Sequence, residues 1–197
     1  KTPKVIKEFN DLYKTSIYQE YLKDDTIDKW SFETTSYYHF NHELSNINYY
    51  NYNLSGFLSL PANPRFIVKS YNNRIWRQYE LSRICGTVVD RDDSKHIVYL
   101  LTPDNVIVNV KFVAEQYSWY KQTISVIEND KRTIIDDSWF KRGTLIMVTG
   151  YRQDDNFRVK RYKHSVLQHS VAKIIKINNG TVDLQTERME NNSTYCR

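Results

Sequence analysis

The sequence predicts an α+β chain, with a small helical element first and a small barrel of strands after it. Apolar residues recur at three- and four-residue steps up to about residue 44, and the pattern becomes strand-like, with a two-residue period, from about residue 80. The later segments follow the order three strands, one helix, two strands, with a further strand pair beyond. Composition supplies the core: 40% of the 197 residues are hydrophobic and 14% aromatic, which excludes an intrinsically disordered chain.

Residues 1–44 carry the helical element. In Pro3–Leu22, Val5, Ile6, Phe9, Leu12, Tyr13, Ile17, Tyr18, Tyr21 and Leu22 fall on one stripe behind an initial proline. After the break at Lys23–Asp25 a second helix is expected over Thr26–Phe40, weakened by Thr34 and Thr35. Residues 45–79 read as a loop-rich connector, because Asn, Gly and Pro interrupt the aromatics from Ile47 to Trp76.

Residues 80–187 carry the strands. Leu81–Asp90 and Lys95–Thr102 read as strands that end in polar turns, and the strand Val106–Phe112 follows. Ala114–Ile127 has helix-like amphipathicity, and Thr144–Arg152 and Phe157–Tyr162 flank a hairpin at Gln153–Asn156. Ala172–Ile177 and Thr181–Gln185 turn at Asn178–Asn179–Gly180, a strong hairpin signal, and residues 188–197 are read as a tail. This order is that of an OB fold, a five-stranded Greek-key barrel that binds oligonucleotides, here with extra C-terminal strands. Gly86 and Gly150 fall where a small closed barrel needs a bulge or a sharp bend.

Charge points to the same class of ligand. The net charge is only +5, but Ser138–Lys176 holds nine Lys/Arg and two acids, while the remainder sums to −2. A basic stretch in a near-neutral chain suits a polyanion. No run approaches the ~18 apolar residues of a membrane span. Cys85 and Cys196 are too few for a disulfide framework or a zinc site and fit a reducing compartment. With no secretory leader in view, a soluble, cytoplasmic protein without membrane partners is expected. A first residue of Lys rather than Met is expected of a fragment or a processed product.

Glu33–Leu44, ETTSYYHFNHEL, resembles the E-x-x-G-F-Y-x-x-x-H-P-L segment of bacterial C-family replicative DNA polymerases, the alpha subunits of DNA polymerase III. Glu33, Tyr38, His42 and Leu44 match, while Ser36, Tyr37 and Glu43 stand where the pattern has Gly, Phe and Pro. RICGTVV (83–89), LLTPDNVIVNVKF (100–112) and SWFKRGTLIMVTGYR (138–152) are similar, in the same order, to the OB domain of phage-borne and Firmicute members. The resemblance implies a C-terminal region of such a polymerase: the end of the helix-hairpin-helix segment followed by the OB domain, in a bacterial cell or phage-encoded. The metal-holding carboxylates of that family lie in a palm region far upstream, which has no counterpart here. The implied function is therefore a non-catalytic module that binds single-stranded template DNA. No catalytic residue, metal or cofactor is expected in this chain, and Mg2+ belongs to the catalytic part of the resembled polymerase.

The expected DNA contacts are Lys111, Lys141, Arg142, Arg152, Arg158, Lys160, Tyr162 and Lys163. Alternation puts Arg158, Lys160 and Tyr162 on one face of their strand and Phe157 and Val159 on the core face. Val106, Val108, Val110 and Phe112 share the inward parity, which leaves Lys111 outside. Trp139 and Phe140 are expected to cover the barrel end, with Gly143 making the turn. A second reading is a protein-interaction module docking a sliding clamp or the catalytic polymerase portion. The resemblance places a clamp-binding element in the connector, at Leu54, Phe57 and Leu58. His39, His42 and Glu43 suggest a metal, but the pair His39 and His42 has no third ligand of suitable spacing, so His42 is expected to be a hydrogen-bonded structural histidine. Asp92–Asp93 and Asp154–Asp155 fall at hairpin tips, where Asp bonds its own backbone.

Overall fold

The computed structural model describes residues 27–35, 38, 41–128, 131–162 and 167–189, together with helical positions 4, 5, 7, 8 and 11. The chain divides into two compact units, Lys1–Asn41 and His42–Arg197. In the first, helix α1 spans Ile27–Thr35, within the expected Thr26–Phe40, and Tyr38 is not helical. Phe32 stacks on Tyr38 with ring centroids 5.1 Å apart. The rest of the expected Pro3–Leu22 helix lies outside the described residues.

The second unit is mostly β. Its described elements are β1 (Phe66–Tyr71), β2 (Arg74–Tyr79), β3 (Ser82–Asp92), β4 (Ile97–Leu101), β5 (Ile107–Lys111), α2 (Ala114–Lys121), β6 (Ile124–Glu128), β7 (Lys131–Asp136), β8 (Leu145–Gln153), β9 (Asn156–Val159), β10 (Val171–Asn178) and β11 (Thr181–Gln185). Strands β8, β3, β4, β5 and β9 pair in that order, and β9 pairs back to β8, closing a five-stranded barrel. All these pairings are antiparallel except β5 with β9. The closed barrel and the helix between β5 and β8 are consistent with the expected OB-like architecture. Strands β10 and β11 extend the sheet beyond β8.

Two expectations are corrected. Within the connector, β1 and β2 form an antiparallel hairpin where a loop was expected. Asn72 and Asn73 have φ of +47° and +58°, so the residues read as breakers are the two-residue turn that joins the strands. The helix expected over Ala114–Ile127 stops at Lys121, and Ile124–Glu128 is a strand paired with β7. Thr123, Ile124, Val126 and Ile127 are β-branched and lose χ1 freedom in a helix. Glu115 in the first turn and Lys121 in the last suit the dipole of the short helix that remains.

The barrel is filled by Ile84, Val88, Val98, Leu100, Val108, Val110, Ile146, Val148, Phe157 and Val159, of which Val108, Val110, Phe157 and Val159 have the expected inward parity. Tyr117 from α2 meets Phe112 and Phe140 at one end, with Phe112 and Phe140 centroids 4.8 Å apart. Trp139 and Phe140 are fully buried there, each worth about 1.5–3 kcal/mol of apolar burial. Gly143 makes the following turn at φ +85°. A second apolar layer lies outside the barrel, where Leu44, Ile47 and Leu54 pack on Cys85, Met147, Ala172, Ile174 and Val182. Strand β3 is consequently buried on both faces from Ile84 to Val88.

Closure depends on Gly86 and Gly150. A Cβ at Gly86 would lie 2.3 Å from the Leu101 carbonyl oxygen, and one at Gly150 would lie 2.0 Å from that of Arg158. Beyond β11, Arg188 is buried against Asp136 in an ion pair of 3.0 Å. Its guanidinium also donates to the carbonyls of Trp119, Tyr120 and Gln122, while Asp136 accepts from the Trp139 indole. Nothing in the local sequence marks Arg188 as an anchor.

Candidate nucleic-acid interface

The outer face of the barrel gathers aromatics and cations where β5, β9 and β8 run side by side. Lys111 lies opposite Arg158 in the parallel β5–β9 register, and Arg158 lies opposite Tyr151 in the β8–β9 register. Alternation explains the row: Phe157 and Val159 point into the core, so Arg158 between them is exposed. Tyr151 then stacks on Tyr79 from β2, centroids 4.1 Å apart and planes 9° from parallel. Phe66 on β1 lies against Tyr79, tilted at 36° with centroids 4.7 Å apart.

Lys160 and Tyr162 complete the cluster. The Lys160 ammonium sits 5.3 Å from the Tyr79 ring centroid and 5.9 Å from that of Tyr162, both within cation–π range. The Tyr162 hydroxyl accepts a hydrogen bond of 2.9 Å from the Tyr79 backbone N–H. Burial raises the Tyr151 hydroxyl pKa, and a hydrogen bond with Tyr79 adds to the rise, so the Tyr151 ring stays neutral across the physiological range. The result is a tyrosine surface edged by Lys111, Arg158 and Lys160, able to stack on flat rings and pair with phosphate.

Other expected contacts fall elsewhere. Arg152 is committed within the fold: it donates to the carbonyls of Phe57 and Leu60 at 3.2 and 3.0 Å and stacks on the Phe57 ring at 4.5 Å. Lys141 pairs with Asp137 at 2.9 Å. It and exposed Arg142 precede β8, at the opposite end of the strand from Tyr151, roughly 20 Å away at ~3.3 Å per residue. Lys163 lies outside the described residues. Of the connector trio, Leu54 and Phe57 are buried and Leu58 is exposed.

The loops beside this face carry the paired acids. Asp92 accepts from Ser94 and from the Lys95 backbone N–H, which hold its pKa down at about 2. Asp93 takes hydrogen bonds from Lys121 and Tyr117 and sits 3.4 Å from the Arg91 guanidinium. Much of that loop's negative charge is thus met by its own neighbours. Asp154 occupies the β8–β9 turn at φ +54°.

His42 is the structural residue the sequence predicts. Its Nδ1 accepts from the Leu44 N–H at 3.0 Å, which places the proton on Nε2, within 3.1 Å of both the Leu101 carbonyl and the Thr87 hydroxyl. Burial lowers its pKa to about 4. Cys85 is a small buried residue whose thiol burial pushes up to about 12. No helix among the described residues is long and apolar enough to cross a membrane. Sequence reasoning missed Tyr79, Tyr151 and Phe66. The signal was local, an aromatic at each end of a β-hairpin, but the hairpin itself went unrecognised.

No family model matches the chain, and no solved structure does. Two curated proteins are similar to it: the probable DNA polymerase YorL of Bacillus subtilis strain 168 and the DNA-directed DNA polymerase of Bacillus phage SPbeta. Each is 39% identical over 195 residues, covering 96% of this chain and 15% of the relative. Over nearly its whole length, the chain therefore corresponds to a partial region of a DNA polymerase.

Proposed function

We propose that this chain is a non-catalytic module of a replicative DNA polymerase of the DNA polymerase III alpha type, with an OB-like barrel that binds single-stranded template DNA. The observation that carries the reading is the Tyr79–Tyr151 stack with Lys160 over it and the Lys111–Arg158 pair beside it. Similarity to polymerases supports the setting. Bases stack on the tyrosine surface while the three cations neutralise phosphates, so little base preference is expected.

About three neutralised phosphates give a log–log salt slope of roughly −2 on a single strand. The test is Arg158→Ala with Lys160→Ala, followed by anisotropy with a labelled oligothymidine across a salt series. Loss of affinity with a slope shallower by about 1.4 is expected. An unchanged slope would move the strand elsewhere on the chain. Lys141→Ala with Arg142→Ala serves as the comparison, since a short oligonucleotide on the tyrosine surface does not reach that end of β8.

A further inference from the structure

Among the described residues, almost nothing packs on the β1–β2 hairpin. From Arg65 to Arg77 every described side chain is exposed, including Ile75 at 74% and Val68 at 63%. Among the described residues it joins the aromatic surface of the barrel at its base, through Phe66 and Tyr79. A two-stranded ribbon of this kind is marginal by itself and gains order from whatever lies against it.

The charge on the ribbon identifies the class of partner. Arg65, Lys69, Arg74 and Arg77 lie on it or at its base, and no carboxylate occurs anywhere between Glu43 and Glu80. The cations are spread over both faces. Arg77 shares a face with Val68 and Ile75, while Lys69 and Arg74 share the other with Ile67 and Trp76. The centre of a protein–protein patch is depleted of charge, whereas here cations are interspersed among the apolar residues of both strands.

We infer that this hairpin is a second nucleic-acid contact, a ribbon that lies in a groove of B-form duplex DNA. Two strands about 4.8 Å apart fit a major groove about 12 Å wide, with side chains of each face turned toward one wall. Lys69, Arg74 and Arg77 then meet phosphates on both sides, and Ile75 beside the Asn72–Asn73 tip contacts sugar and base edges. The position of Tyr79 at the ribbon base puts a duplex contact next to the single-strand surface, an arrangement suited to a junction between the two. This inference does not depend on the barrel-face reading, because the substrates and the residues differ.

The test uses the full chain with two labelled probes, a double-stranded oligonucleotide and oligothymidine, each titrated across a salt series. For Lys69→Ala with Arg74→Ala and Arg77→Ala, duplex binding should weaken at least tenfold at low salt, with a slope shallower by about 2.7. Oligothymidine binding should stay as it was. All three side chains are exposed, so the thermal midpoint should not move, and this checks that the fold is intact. Unchanged duplex affinity overturns the inference, and so does an equal loss on both probes, which would reduce the ribbon to diffuse charge. Sedimentation of wild type and Ile75→Ser supplies the remaining arm. Concentration-dependent self-association lost in Ile75→Ser would make the occupant a second copy of this chain and overturn the duplex assignment.

Discussion

Tyr79 and Tyr151 lie face to face, 4.1 Å between ring centroids, although one closes the hairpin and the other ends a barrel strand. Each ring holds one face of the other, so removing one disturbs the surface proposed to stack on a base. Tyr151→Ala is expected to weaken oligothymidine binding by about 1–3 kcal/mol, the usual worth of a stacked base. Tyr151→Phe should retain most of the affinity, because the ring rather than the hydroxyl makes the contact. Anisotropy titrations of the two variants check this, and equal losses would assign the effect to the hydroxyl.

His42 makes the protein sensitive to mild acid. Its folded-state pKa of about 4 lies below the ordinary 6.5 because burial disfavours the imidazolium. Between those two values the unfolded chain binds a proton that the folded chain does not, so stability falls as pH drops from 6.5 toward 4. The loss reaches about 3 kcal/mol at the lower end. Thermal midpoints measured across that window should decline in the wild type. His42→Gln should be less stable at neutral pH and should show a flatter decline.

Gly150 and Gly143 separate two reasons for a glycine. Gly150→Ala drives a Cβ into the Arg158 carbonyl, backbone against backbone, and is expected to cost about 3 kcal/mol or more. Gly143 has open space around its Cβ but a φ of +85°, so Gly143→Ala should cost only about 1 kcal/mol. Urea denaturation of both variants gives the comparison, and equal costs would contradict the closure argument.

Arg188→Ala leaves the Asp136 carboxylate buried without its cation and removes the donors to three helix-end carbonyls. A loss of about 3–5 kcal/mol is expected. Denaturant unfolding measures it, and Glu187→Ala, on an exposed neighbour, is the control with little effect.

The barrel strands were legible because their pattern is local. In β5, Val108 and Val110 alternate with Asn109 and Lys111, and that parity decides which side faces the core wherever the strand is placed. The Asn179–Gly180 turn was legible for the same reason: both residues adopt positive φ in a two-residue link between alternating segments. Asn72–Asn73 make the same kind of turn, yet the strands beside them are exposed on both faces and carry no alternation to reveal them.

The sequence by itself determined the order of helix and strands in the barrel region, the inward parity of Val108, Val110, Phe157 and Val159, the structural role of His42 and the basic character of residues 138–176. Each follows from side-chain chemistry and periodicity within one segment. Only the tertiary structure decided how that charge is used. It withdrew Arg152 to hold the segment around Phe57, kept Lys141 with Asp137, and brought Tyr79 beside Tyr151 and Lys160. These are pairings between distant segments, set by barrel closure and strand register. A sequence pattern specifies which face a residue takes, and closure of the sheet specifies which residue it meets there.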